Sequence, residues 1–134
     1  MKLSPHFTDS ECACRCGCGK CDVSPRLLML AEKIRDIFHA PLVTHSVCRC
    51  EVHNERVKGV KNSQHLKGKA MDFHVKGLES APEVVYNSIL RAYQDGLLPE
   101  LGALFLYDWG VHIDVRACDG RLKTGNYRSD KHDV

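Results

Sequence analysis

Apolar residues recur at helical spacing in two stretches of the chain. Ser24 and Pro25 precede the first stretch as an N-cap and a first-turn proline, and the 3.6-residue period after them predicts a helix over 24–39. The second stretch follows Ser80-Ala81-Pro82-Glu83, which has the Ser-x-x-Glu spacing of a capping box, and a helix is predicted from there to near Gly96. We expect both apolar stripes to face the core.

Short apolar or alternating runs predict the strands of one small sheet. These runs cover residues 41–44, 70–75, 104–107 and 111–115, with a turn at 108–110 between the last two. In the second run, alternation places Ala70, Asp72 and His74 on one face of the strand and the apolar residues between them on the other. One face of the sheet is therefore predicted to be polar.

Length and composition fit a single soluble domain. The chain has 134 residues, of which 43% are hydrophobic and 27% are charged, and one domain over 1–134 is expected. Within it, 1–22 is a cysteine-rich segment, 48–68 is predicted to be a long loop, and 117–134 is a polar tail. The expected fold is α+β, with a small antiparallel sheet and two main helices packed on one of its faces.

Charge and hydropathy exclude two classes of partner. The net charge of +2 creates no strong field toward nucleic acid, and no apolar run is long enough to span a membrane. The N-terminus shows no apolar stretch typical of a signal peptide, so synthesis in the cytoplasm is expected. The sequence does not indicate an oligomeric state.

Eight cysteines and eight histidines are an unusual number for so short a chain. In a reducing compartment the clustered cysteines favour free thiols or a metal site, whereas disulfides would form only after export. The sharper hypothesis is a structural zinc held by four thiolates. Its candidate ligands are Cys12, Cys14, Cys16, Cys18 and Cys21, together with Cys48 or Cys50.

Two histidines and a carboxylate form a separate candidate site. His65, Asp72 and His112 provide the ligand set of a catalytic zinc, whose fourth position is left to water. We expect this zinc site on one face of the antiparallel sheet, with the two main helices on the other. Asp114 lies two residues beyond His112 and on the same strand face. It could act as a general base, hold a ligand in place, or pair with Arg116.

The motifs around these residues are familiar. Ser-x-His-x-x-Gly-x-Ala-x-Asp over 63–72, followed by Val-His-Ile-Asp over 111–114, resembles the zinc D-Ala-D-Ala carboxypeptidase-like peptidases of the M15 family. The likeness is greatest to the short branch found in bacterial murein endopeptidases and in phage and prophage lysins. It extends from Phe7-Thr8-x-x-Glu11, through Cys-x-Cys-Gly-Cys-Gly over 14–19, to about Arg116.

The resemblance implies a zinc-dependent hydrolase of peptide bonds in the peptidoglycan stem or cross-bridge, either a D,D-carboxypeptidase or an endopeptidase. It assigns His65, Asp72 and His112 as zinc ligands. Arg49 matches an arginine that in relatives contacts the substrate carboxylate or carbonyl, although it could equally anchor its loop. Ser63 and Gln64 are also assigned to the substrate side.

The chain departs from the family pattern at the general base. Many relatives have Glu or Asp three residues before the last histidine, where this chain has Trp109. The candidates that remain are Asp114 first and Asp108 second. The alternative function is a zinc-bearing binding module that has lost catalysis, since the Hedgehog signalling domain shares this fold. Phage lysis, or delivery in a phage particle, would be consistent with the family as a route to the cell wall.

Overall fold

The computed structural model describes residues 1–129. The helices are Asp9–Cys12 (α1), Pro25–Phe38 (α2), Glu51–Arg56 (α3) and Pro82–Gln94 (α4), with a 3₁₀ helix at Gln64–Lys67. The strands are Lys2–Ser4 (β1), Phe7–Thr8 (β2), Leu42–Ser46 (β3), Ala70–Val75 (β4), Ala103–Tyr107 (β5), Gly110–Asp114 (β6) and Lys123–Asn126 (β7). None of these helices is both long and apolar enough to cross a membrane.

The main sheet has the strand order β3-β4-β6-β5-β7. Its first four strands pair antiparallel, which confirms the predicted α+β fold with a small antiparallel sheet. β7 adds a fifth strand that runs parallel to β5. The polar tail therefore contains a strand that its sequence pattern did not indicate.

The core lies between one face of this sheet and the helices α2 and α4. Phe73 from β4 and Ile113 from β6 are fully buried there with Leu30 from α2 and Ile89 from α4. Because side chains alternate along a strand, the neighbours of these core residues face the opposite side. That opposite side carries the polar residues of β4 and β6.

The two long helices begin in different ways. Ser24 caps α2 as predicted, and its hydroxyl accepts a hydrogen bond from the Leu27 N–H at 3.4 Å. The capping box predicted at Ser80 is wrong, because Ala81 is the N-cap of α4 and provides no side-chain hydrogen bond. A proline disfavours helical geometry in the residue before it, so α4 begins at Pro82 itself.

The prediction of a loop over 48–68 is wrong in part, because the stretch contains α3 and the 3₁₀ helix. The N-cap of α3 is Cys50, whose sulfur accepts a hydrogen bond from the His53 N–H at 3.4 Å. Cysteine is not among the preferred N-cap residues. A helix of six residues with this cap leaves little signal in the sequence.

Candidate active site

The register of β4 and β6 brings two of the predicted metal ligands together. Asp72 lies directly opposite His112, and Ala70 lies opposite Asp114. All four face away from the core, since their neighbours in the strands are the buried apolar residues. Cross-strand neighbours have Cβ atoms about 4.5–5.5 Å apart, so a carboxylate and an imidazole in this register meet.

His65 reaches the same point from the 3₁₀ helix. The Ser63 hydroxyl caps this helix and accepts a hydrogen bond from the His65 N–H at 3.2 Å. The His65 Nδ1 lies 2.8 Å from the Val47 carbonyl oxygen. Because a carbonyl only accepts, Nδ1 carries the proton and Nε2 is left with its lone pair.

The Nε2 atom of His65 is buried and has no hydrogen-bond partner, yet it lies 3.2 Å from the Asp72 Oδ1. A lone pair that faces a carboxylate oxygen is unfavourable unless a cation lies between them. This orphaned atom therefore indicates a metal position between His65 and Asp72.

His112 completes the group and is held from both sides. Its Nδ1 lies 2.8 Å from the Asp72 Oδ1, and its Nε2 lies 2.7 Å from the Asp114 Oδ2. Burial disfavours a charged imidazole, but the hydrogen bonds to Asp114 and Asp72 outweigh it and raise the pKa of His112. A metal at Nδ1 would replace the proton there, while Nε2–H would continue to donate to Asp114.

Asp114 is completely buried behind His112. Its Oδ2 also accepts from the Arg116 Nη2 at 2.6 Å, and its Oδ1 accepts from the Arg116 Nε at 2.8 Å and backbone N–H at 3.1 Å. Burial opposes ionisation, but the hydrogen bonds from His112 and Arg116 prevail and lower the pKa of Asp114 to about 2. Among residues 1–129, the hydrogen bonds to this ionised carboxylate come from His112 and Arg116.

The three groups fit a zinc ion. Their ligand atoms lie within 4.8 Å of one another, and a tetrahedral site with bonds of about 2.0 Å to N and O requires separations of about 3.3 Å. The measured separations from Asp72 Oδ1 are 3.2 Å to His65 and 2.8 Å to His112. A small widening of the second contact would admit the ion.

Arg49 approaches the Asp72 carboxylate from the other side, with Nη2 3.6 Å from Oδ2. Its Nη1 donates to Asn54 Oδ1 at 3.0 Å, and its Nε donates to Ser46 Oγ at 3.2 Å. The chain passes close to this guanidinium at Gly59, where an added Cβ would overlap Asn54 Oδ1 and lie 2.8 Å from the Arg49 Nη1. Gly59 thus makes room for the Asn54 amide and for the guanidinium that donates to it.

The cleft that contains Arg49 and the three candidate ligands His65, Asp72 and His112 has a volume of about 590 Å³. The cleft is lined by the aromatic rings of Phe105, Tyr107, Trp109 and Tyr127. It is also lined by the cationic side chains of Arg49, Lys58, Arg116 and Lys123. Ser63 and Gln64 also line the cleft. Among the described residues that line it, Asp72 is the sole carboxylate. The cleft is therefore suited to an anionic ligand with exposed carbon surface.

Sequence reasoning missed three of these aromatic residues. The Phe105 ring stacks on His112 with centroids 5.0 Å apart, and Tyr107 stacks on Trp109 at 4.9 Å. The alternation along β5 could have predicted that Phe105 and Tyr107 face the cleft side, because Leu104 and Leu106 point to the core. Tyr127 follows the unpredicted strand β7, and no pattern indicated it.

Asp108, the second candidate base, lies in the turn between β5 and β6. Its Oδ2 accepts from the Ser129 N–H at 2.9 Å and from the Ser129 hydroxyl. It is not among the residues that line the cleft, whereas its neighbour Trp109 is. The turn thus presents an indole to the cleft.

The cysteines considered as structural metal ligands fall into two groups. In the first, four sulfurs lie within 4.8 Å of one another, those of Cys14, Cys16, Cys18 and Cys50. The other three, Cys12, Cys21 and Cys48, are not part of that group. Burial raises the pKa of Cys12 and of Cys48 to about 12. These two side chains are therefore thiols at neutral pH.

A family model described as peptidase M15 matches residues 5–114. The chain belongs to the peptidase M15 family. The match contains all three predicted zinc ligands and Arg49, and it ends at Asp114. Membership confirms the resemblance drawn from the motifs and implies a zinc-dependent metallopeptidase with a substrate of the peptidoglycan type. No curated protein matches the chain.

Proposed function

We propose that this protein hydrolyses peptide bonds in the stem or cross-bridge peptides of peptidoglycan, with one zinc ion held by His65, Asp72 and His112. The observation that carries the proposal is the buried, unpartnered Nε2 of His65, which faces the carboxylate of Asp72 in an open cleft. Two histidines and one carboxylate are typical of zinc sites that leave a position for water.

A zinc ion held by His65, Asp72 and His112 would make a water molecule acidic enough to supply hydroxide near neutral pH and would polarise the scissile carbonyl. The position of Arg49 fits two tasks. Its guanidinium is always charged and is held by Asn54 and Ser46, so it can bind a substrate carboxylate or carbonyl without reorganisation. The same hydrogen bonds would also serve a loop anchor.

We infer different roles for the remaining predicted site residues. Asp114 is a positioning residue, because it fixes the His112 tautomer that leaves Nδ1 available to the metal. Ser63 acts through its cap on the 3₁₀ helix that carries His65. Gln64 lines the cleft and is proposed to contact the substrate. Asp108 binds the tail, which supports a structural role.

The cations of the cleft favour a substrate with carboxylates, as peptidoglycan peptides have. A D,D-carboxypeptidase must bind a free C-terminal carboxylate close to the cleaved bond, whereas an endopeptidase must leave room for chain on both sides. Arg49, beside Asp72, is the residue best placed to make that distinction. Action on the cell wall as a phage or prophage lysin remains part of the proposal.

One observation favours a second function, a zinc-bearing module that binds muropeptides without cleaving them. Apart from Asp72, no carboxylate lines the cleft among the described residues, and Trp109 stands where many relatives have Glu or Asp. Proton transfer is the step that such a module would lack. Binding and cleavage must therefore be measured separately.

The test combines product analysis with the fluorescence of Trp109, the one tryptophan of the chain. The zinc-loaded protein is incubated with purified muropeptides, with and without a chelator, beside His65→Ala and the surface control His39→Asn. The proposal expects cleaved peptide from the wild type and the His39→Asn control without the chelator, and none from His65→Ala or from any chelated sample. A fluorescence change on binding without product under any metal condition would favour the module.

Separate substrates distinguish the two peptidase activities. Release of terminal D-Ala from a stem pentapeptide, lost when its C-terminus is amidated, would identify a carboxypeptidase. Cleavage of a cross-linked dimer that continues after amidation would identify an endopeptidase. Arg49→Lys should raise KM for the preferred substrate more than it lowers kcat, because lysine keeps the charge and loses the planar fork.

A further inference from the structure

We propose that Cys14, Cys16, Cys18 and Cys50 hold a second, structural zinc ion. This inference is independent of the peptidase activity. The measured sulfur separations are 3.5 Å between Cys14 and Cys16, 3.6 Å between Cys16 and Cys50, and 3.9 Å between Cys14 and Cys50. Cys18 lies within 4.8 Å of the others. A tetrahedral zinc with Zn–S bonds of about 2.3 Å has sulfurs about 3.8 Å apart.

These separations argue against two other uses of the same cysteines. A disulfide requires an S–S distance of about 2.05 Å, and the structure has no disulfide at any of the eight cysteines, all of which lie within residues 1–129. An iron–sulfur cluster holds its cysteines farther apart, because several irons and sulfides lie between them. Four thiolates around a single point are typical of a closed structural zinc site.

The backbone around the first three sulfurs is arranged for such a site. Residues 13–24 form no helix or strand, and Cys16 and Cys18 are exposed, so burial of apolar surface does not hold them in place. Gly17 and Gly19 have φ of +86° and +88° with open space around them. Their left-handed conformations, which other residues rarely adopt, turn the chain so that alternate side chains converge.

The fourth sulfur comes from the loop that carries Arg49. The Cys50 N–H donates to the Cys14 sulfur at 3.4 Å, an N–H···S contact that would stabilise a thiolate. Cys50 also follows Arg49 directly, and the Arg49 N–H donates to the His65 carbonyl oxygen at 3.1 Å. The ion would therefore fasten the N-terminal segment to the loop beside the catalytic cleft.

Zinc content measured on the reduced wild-type protein tests the proposal without a mutation. With a phosphine as reductant, we expect about two zinc ions per chain. A mercurial that reacts with thiolates should release about one of them, because the other has no sulfur ligand. His65→Ala should lose the zinc of the His65, Asp72 and His112 site and retain the mercurial-releasable zinc of the cysteine site, which separates this proposal from the catalytic site.

Substitutions then identify the ligands. Cys18→Ser and Cys50→Ser should each bind about one zinc fewer than the wild type, whereas the matched control Cys118→Ser should bind as many. Cobalt(II) in place of zinc should give thiolate-to-metal charge-transfer absorption in the wild type and the control, and this absorption should be lost in Cys50→Ser. About one zinc in the reduced wild type, none of it released by the mercurial, would overturn the proposal. A mass lower by four hydrogens, which reports two disulfides, would also overturn it.

Discussion

Replacing Asp114 with asparagine is expected to weaken zinc binding, because this carboxylate fixes the tautomer of His112, one of the proposed zinc ligands. Asp114 Oδ2 accepts from both the His112 Nε2 and the Arg116 Nη2, and its Oδ1 accepts from Arg116. Asparagine keeps one acceptor oxygen and gains an NH₂ donor. Whichever way the amide turns, N–H groups that bonded to the carboxylate then face another donor.

The expected loss of zinc affinity follows from the effect of the new amide group on the His112 tautomer. If the NH₂ group replaces Oδ2, His112 relieves the conflict by accepting at Nε2, which moves its proton to Nδ1 and blocks the metal. Loss of a partner that orients a metal-bound histidine typically costs 10–100-fold in metal affinity, or about 1.4–2.8 kcal/mol. We expect Asp114→Asn to lose zinc affinity by a factor in this range and to regain much of the wild-type activity at saturating zinc.

The assay is competition for zinc between the protein and a chromogenic chelator, with turnover measured at low and at saturating zinc. Asp95→Asn, which changes an exposed carboxylate at the C-terminal end of α4, is the matched control and should bind zinc as the wild type does. If Asp114→Asn bound zinc within twofold of the wild type and stayed inactive at saturating zinc, the positioning role would be refuted and a general base would be favoured.

Three further predictions concern the surroundings of the site and the N-terminal segment. Gly59→Ala places a methyl group against Arg49 and should raise KM for an anionic muropeptide severalfold, measured by steady-state kinetics; an unchanged KM would show that Arg49 does not bind substrate. Ser63→Ala removes a helix cap and should lower the free energy of unfolding by roughly 1 kcal/mol, and an unchanged denaturation midpoint would contradict this role. Burial opposes the ionisation of Glu32, but hydrogen bonds from Ser4 and His6 lower its pKa below the ordinary value of 4.5. The contribution of ionised Glu32 to the free energy of unfolding is therefore fully present above pH 4.5 and is lost as the pH falls through the lowered pKa. The difference in Tm between wild type and Glu32→Gln should therefore be full at pH 7 and shrink below about pH 4; a difference that grew in acid would contradict the assignment.

The candidate metal ligands could be picked out from the sequence because their chemistry is local, and the structure brings His65, Asp72 and His112 together. Two histidines and one aspartate on short elements indicate a zinc site, and alternation along β4 already places Asp72 opposite the core face. What the sequence lacked was the register that pairs Asp72 with His112. Register depends on which strands meet, and this is a property of the whole sheet.

Features that depend on weak local signals were missed. β7 is short and polar and pairs only with β5 at the sheet edge, so it shows no hydrophobic alternation. The start of α4 depended on the conformation that Pro82 imposes on Ala81, and this outweighed the Ser-x-x-Glu spacing. The four convergent cysteines could not be chosen from the seven candidates, because the choice depends on turns at Gly17 and Gly19 that carry no periodic pattern.

Recovery of peptidase activity in chelator-treated protein tests the central claim most directly. Zinc is added back in small steps, and product from a purified muropeptide is measured at each step for the wild type, His65→Ala and the His39→Asn control. The account predicts that activity returns with zinc to a plateau in the wild type and the control, and that His65→Ala stays inactive throughout. Activity as high as that of the zinc-loaded wild type, measured in the chelated wild type or in His65→Ala, would contradict a reaction that depends on this metal centre.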